Sequence, residues 1–169
     1  MKPAALPRND PFPASALPFL TVLLLVLISL MPLRFPGYAA VTPEFALMGV
    51  FHWTVYRPAL LPPLILFLVG VAFDLVTGAP LGITAMVLLV TRGLVLRQRQ
   101  FFVGRQFAFV WFGFTLTAAG AVLLVWLLGT VFNGVFLDLR PVLLQWVLTV
   151  ALYPAVSWCL QRVQRFFLA

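Results

Sequence analysis

Few residues of this chain have side chains suited to bond-breaking chemistry. Its 169 residues include four carboxylates (Asp10, Glu44, Asp74 and Asp138), one histidine, His52, and one cysteine, Cys159. General acid–base catalysis needs two titratable groups within hydrogen-bonding reach of one reacting atom. Glu44 and His52 lie eight residues apart in one apolar run and Asp74 lies in the next, so only the fold could gather them at one depth. The patterns HExxH, GxSxG and GxxxxGK[ST], which fix a metal, a nucleophile or a phosphate by local geometry, do not occur. One cysteine and one histidine cannot furnish a metal cage, and Cys159 has no second thiol in the chain to pair with. The chemistry therefore predicts a protein that is not an enzyme, with no catalytic residue, no metal ligand and no cofactor.

The elements that must position these few polar groups are apolar. Hydrophobic residues make up 63% of the sequence and charged residues 9%, with a mean hydropathy of +1.10. A soluble domain carries about 25% charged residues, and the 15 charges here, 11 basic and 4 acidic, could not cover the surface of one. A soluble domain, a disordered chain and a disulfide-stapled module are thereby excluded, leaving a polytopic membrane protein with little extramembrane mass. The net charge of +7 does not indicate nucleic acid, because the arginines are scattered between apolar runs rather than gathered on a basic face.

Crossing a hydrocarbon core of about 30 Å takes about 20 apolar residues in a helix. Six runs qualify, at about 14–33, 39–56, 59–76, 81–96, 107–131 and 141–160. The chain thus reads as one all-α transmembrane domain over 1–169, a bundle of six helices joined by short loops. The runs are continuous rather than alternating, which argues against a β-barrel. Lys2 and Arg8 ahead of the first run permit a signal-peptide reading. The small residues around Gly37 to Ala40 make a weak cleavage site and Asp10 dilutes the basic leader, so a retained helix is favoured. With both termini in the cytoplasm, the inner segments carry Lys2, Arg8, Arg57, Arg97, Arg99, Arg105, Arg162 and Arg165, and the outer loops only Arg34 and Arg140. That asymmetry sets the expected orientation.

Asp74 lies 17 residues beyond Arg57, about 25 Å along a helix, and so near the outer end of the third span. Two readings stand for it: a cap on the following turn, or a polar contact to a partner. Gly70, Asp74 and Gly78 fall at i, i+4 and i+8, a face that a neighbouring helix could approach closely. Gly113, Thr117 and Ala121 repeat a small residue at the same spacing in the fifth span and suit contact within the chain or with another subunit. Arg92, inside the fourth span, is expected to snorkel to the inner interface or to pair within the bundle, the former favoured. His52 reads as a packing histidine rather than a proton relay. The stretch from Arg97 to Arg105 and the tail from Arg162 to Phe167 mix arginines with aromatics, a pattern that anchors on anionic membrane lipids or docks a cytoplasmic partner.

The segment Gly70 to Leu89, GVAFDLVTGAPLGITAMVLL, resembles the bacterial rod shape-determining protein MreD family, in which a helix ends in an aspartate and a glycine- and proline-containing turn leads to another apolar helix. The matching residues are Asp74, Gly78, Pro80, Leu81 and Gly82. Upstream, Pro43-Glu44, Trp53 and Arg57-Pro58 are similar to the family's second span, with glutamate in place of the usual aspartate and His52 where an aromatic is usual. The resemblance implies a non-enzymatic inner-membrane scaffold of the cell-elongation machinery, supporting lateral peptidoglycan synthesis. The partners it implies are an MreC-like bitopic protein, an MreB-like actin homologue, and a RodA-type glycosyltransferase with its penicillin-binding transpeptidase. The alternative is the substrate-binding component of an energy-coupling-factor vitamin transporter, which six helices also resemble; Asp74, Glu44 and Arg34 could then line a polar pocket near the outer face.

Overall fold

The structure, a computed structural model, describes residues 12–31 and 41–168. Six helices follow one another: α1 (Phe12–Ser29), α2 (Phe45–Tyr56), α3 (Pro63–Thr77), α4 (Ile83–Phe102), α5 (Phe107–Asn133) and α6 (Leu139–Leu168), with a 3-10 turn at Pro58–Leu60 between α2 and α3. Each forms where apolar side chains run on, and most stop where glycine or proline intervenes. Pro63 opens α3 after an extended Pro62, where a missing N–H leaves nothing unpaired. Gly78 and Gly134 close α3 and α5 in the left-handed region, at φ +70° and +65°.

The number of helices agrees with the sequence reading, and their bounds depart from it where the chain is polar. Residues 97–101, read as loop, continue α4 to Phe102, and the tail beyond Leu160 continues α6. Arginine and glutamine are good helix formers, so charge alone does not end a helix. In the opposite sense, α2 begins only at Phe45 and has 12 residues. Phe107–Asn133 and Leu139–Phe166 are long and apolar enough to cross a membrane, whereas the apolar stretches of α1, α2 and α3 are shorter. Lys2, Arg8, Asp10, Arg34 and the Gly37 to Ala40 segment lie outside the described residues.

The short helix α2 lies at the centre. Ten consecutive residues, Ala46 to Val55, are buried, so all its faces are covered. Toward α4, α5 and α6, the Phe51 ring meets Phe102, Phe114 and Tyr153 edge-on at centroid distances of 5.8, 5.2 and 5.8 Å. Toward α1, α3 and α4, Val50 and Trp53 pack with Val22, Leu66, Val69 and Leu88. Helix α4 borders both clusters.

Two indole N–H groups at the contact of α5 with α6 find acceptors across it. Pro154 inside α6 has no N–H to bond the carbonyl of Val150, and Trp111 Nε1 on α5 donates to that carbonyl at 3.1 Å. Trp146 Nε1 on α6 returns a bond to the carbonyl of Thr115 on α5 at 3.2 Å. Outside, large apolar side chains stay uncovered, among them Leu68, Leu75, Phe112, Leu116, Leu127 and Leu143. A soluble monomer does not expose apolar surface on this scale.

Candidate functional site

The turn between α3 and α4 is built around Asp74, which is fully buried. Gly82 N–H donates to its Oδ2 at 2.8 Å, and Thr84 N–H is shared between Oδ1 and Oδ2 at 3.3 Å each. These are first-turn amides of α4, which have no partner within the helix. The carboxylate thus caps α4 from the end of α3, where its charge also favours the positive pole of the helix. Its own carbonyl accepts N–H bonds from Gly78 and, at 3.1 Å, from Ala79, which ends α3 in a left-handed turn. The carboxylate's bonds are the ones the cap reading of Asp74 calls for.

The glycines of the motif serve different ends. An added Cβ on Gly70 would overlap Ala85 and lie 2.5 Å from its backbone nitrogen, so α3 and α4 cross here with backbone against backbone. Gly78, expected on the same packing face, meets nothing within 4 Å; it is required by its positive φ, as is Gly82 at +95°. The i+8 extrapolation fails because the helix stops at Thr77. Pro80 and Leu81 form the exposed crest of the turn, Leu81 at 64% of its full exposure.

A second polar group lies at the same end of the bundle. Gln145 Nε2 on α6 donates to Glu44 Oε1 at 2.8 Å and to the carbonyl of Thr42 at 3.0 Å. The Glu44 N–H donates to Thr149 Oγ1 at 3.0 Å. Pro43 is buried beside it, and its carbonyl accepts the Phe45 N–H. Glu44 and Gln145 border a cavity of about 290 Å³ whose other walls, such as Phe73, Val87, Trp126 and Leu137, are mostly apolar. Asp74 does not line it, and Arg34 lies outside the described residues.

At the other end, Trp53 is fully buried and donates from Nε1 to Thr21 Oγ1 on α1 at 2.9 Å. The Arg57 N–H closes α2 on the Trp53 carbonyl at 2.8 Å, and Pro58 starts the 3-10 turn. Arg92 Nε donates to the carbonyl of Leu61 at 3.0 Å, which is pairing inside the bundle, and Arg99 Nε to that of Val55 at 2.8 Å. His52 lies near the rings of Trp53 and Tyr56, at 5.7 and 4.7 Å, and eight residues along α2 from its N-cap Glu44, about 12 Å. The stripe on α5 is used within the chain: Gly113 accommodates the ring of Phe102, Thr117 bonds the Gly113 carbonyl at 2.8 Å, and Ala121 is buried. Gln145 and Thr149 were not singled out by sequence; their signal was two polar residues four apart in an apolar run.

Among the described residues, a bundle of helices with an apolar exterior and a carboxylate-capped turn is the class these features define. Residues 14–163 match the model of the rod shape-determining protein MreD family, and the chain belongs to that family. No curated protein and no solved structure matches it. The membership carries a role in rod shape determination, a membrane setting, and association with the MreB, MreC and MreD shape-determining system. It is a family of shape determinants rather than a known enzyme family.

Proposed function

We propose that the chain is a multi-pass scaffold of the inner membrane that holds the cell-elongation machinery together by helix contacts, supporting lateral peptidoglycan synthesis. The family membership supports the role in shape. The supporting observation in the structure is that Asp74 and Glu44 bond within the chain, whereas large apolar side chains remain exposed. Lipid and apolar partner helices are what such a surface can contact. In this reading both termini face the cytoplasm, the Asp74 turn faces outward, and the six helices occupy the membrane.

An MreC-like bitopic protein is the partner that such a surface fits directly, since it offers a single membrane helix. A cleft of about 470 Å³ runs between α1 and α3, walled by apolar residues from Phe19 to Leu30 and from Ile65 to Val76. The α3 wall is about 16 Å long, three turns of a docking helix, and leads toward the exposed crest at Pro80 and Leu81. An MreB-like filament, a RodA-type glycosyltransferase and its penicillin-binding transpeptidase belong to the same assembly in this reading. A vitamin-carrier role has less support, because the cavity beside Glu44 is mostly apolar and its carboxylate already has a partner.

The test is depletion in a rod-shaped bacterium combined with site-directed cross-linking in a Cys159→Ser background. Rods are expected to become spheres, and Leu68→Cys in the cleft to cross-link the bitopic partner while Leu127→Cys on the far face does not. Unchanged shape with impaired vitamin uptake would overturn the scaffold in favour of the carrier. Equal cross-linking from both positions would overturn the cleft as the docking site.

A further inference from the structure

The end of the bundle away from Asp74 carries a groove that the scaffold role does not use. Three hollows of about 370, 290 and 230 Å³ adjoin one another around Gln161 of α6. Tyr56 borders the first two, Trp158 the first and third, and Arg165 the second and third, so the three lie side by side as one grooved surface. Arg105 enters its wall from the loop between α4 and α5, and Arg162 from the last turns of α6.

Three arginines therefore line adjoining hollows, Arg162 and Arg165 the same one, with Tyr56, Gln161 and Gln164 beside them. The aromatic neighbours hold two of the cations without neutralising them: Arg162 lies 5.4 Å from the Trp158 ring centroid and Arg105 lies 5.8 Å from that of Phe109. Among the described residues, the carboxylates Glu44, Asp74 and Asp138 all lie at the opposite end of the bundle. Asp138 precedes α6 and Arg162 is 24 residues further along, about 36 Å at 1.5 Å per residue, well beyond a screening length of about 8–10 Å. Like charges so gathered repel one another until an anion joins them. A phosphate meets planar guanidinium forks with paired oxygens, which is the geometry they favour. Trp158, exposed in the groove wall, is the kind of aromatic found at a membrane–water interface.

We infer that this groove binds the phosphate of an anionic membrane phospholipid, its acyl chains lying along the bundle's apolar exterior. The inference rests on the chain's being embedded in a membrane, as proposed above. The test uses the full chain in zwitterionic detergent micelles doped with phosphatidylglycerol, with retained lipid counted by native mass spectrometry. Wild type is expected to retain phosphatidylglycerol over phosphatidylcholine, and Arg105→Gln with Arg162→Gln to weaken retention about tenfold, as expected for losing charge-assisted contacts. Arg140→Gln at the opposite end should have no effect, and matched circular dichroism shows whether the double variant is folded. If it is not, Gln161→Glu, which places a like charge against the phosphate, is expected to abolish retention in a folded protein. Equal retention of both lipids, an equal loss in Arg140→Gln, or no loss in any groove variant would overturn the inference. Displacement by millimolar inorganic phosphate would replace it with a free-anion site. Preferential capture of an acidic peptide would replace it with a protein-docking site. Carbonate extraction of the same proteins from cell membranes tests the membrane placement separately.

Discussion

Replacing Asp74 by alanine removes an acceptor that two backbone amides share, and the cost can be worked from the geometry. The Gly82 bond, at 2.8 Å to a carboxylate, is worth about 1.5–3 kcal/mol. The Thr84 bond, split between two oxygens at 3.3 Å, adds about 1 kcal/mol. A total of about 3 kcal/mol lowers the unfolding midpoint of a chain this size by about 6–12 °C. Asparagine keeps one acceptor oxygen and turns an N–H toward the other amide, so about half the loss is expected for Asp74→Asn. Thermal unfolding in detergent, followed by circular dichroism, gives the midpoint. Amide hydrogen exchange at Gly82 and Thr84 gives the site: protection there should fall in Asp74→Ala while α5 keeps its own. A variant with the wild-type midpoint and protected amides, yet unable to co-purify its partner, would refute the capping argument and return the carboxylate to a contact role.

Other changes test other parts of the fold. Gly70→Val drives a branched side chain into the Ala85 backbone, which no rotamer relieves, and is expected to cost more than about 3 kcal/mol and to leave little folded protein. Gly78→Ala has open space and meets only the left-handed backbone penalty, about 1–2 kcal/mol, so its yield should stay near wild type. Trp53→Phe keeps most of the packing and loses the bond to Thr21, a loss of about 1 kcal/mol read as a midpoint about 2–4 °C lower. Reporter fusions at Ala79 and Ala169 are expected on opposite sides of the membrane; activity on the same side would sink the proposed orientation.

Much of the bundle could be read from where apolar runs stop. Gly78, Pro80 and Gly82 mark a turn by the backbone each permits, and this local signal gave the Asp74 motif its place. The capping role was open in the sequence because the amides it satisfies belong to residues eight and ten positions later, whose spacing depends on the turn's path. The helical course of the polar stretch from Arg97 is not visible locally because the helix is held from outside, Arg99 bonding the Val55 carbonyl. The pairing of Glu44 with Gln145 was illegible, since the two are 101 residues apart and nothing local couples them. The stripe on α5 was visible, but that it receives an aromatic ring and not another helix backbone could only be settled by the position of Phe102.

The shortness of α2 has a bearing on how the protein comes to exist. Twelve residues span about 18 Å, against a hydrocarbon core of about 30 Å, so in a membrane the helix cannot reach water at both ends. Its N-terminal side is completed by Gln145 and Thr149, and its C-terminal side by Arg99. During synthesis the helix emerges well before either group of helpers, and α6 emerges last. Until then its ends lack these protein partners. The chain therefore has a built-in assembly order: α2 is the first central element made and the last to be satisfied. Truncation before α6 should strand it in a form that quality-control proteases recognise, although five of the six helices are present.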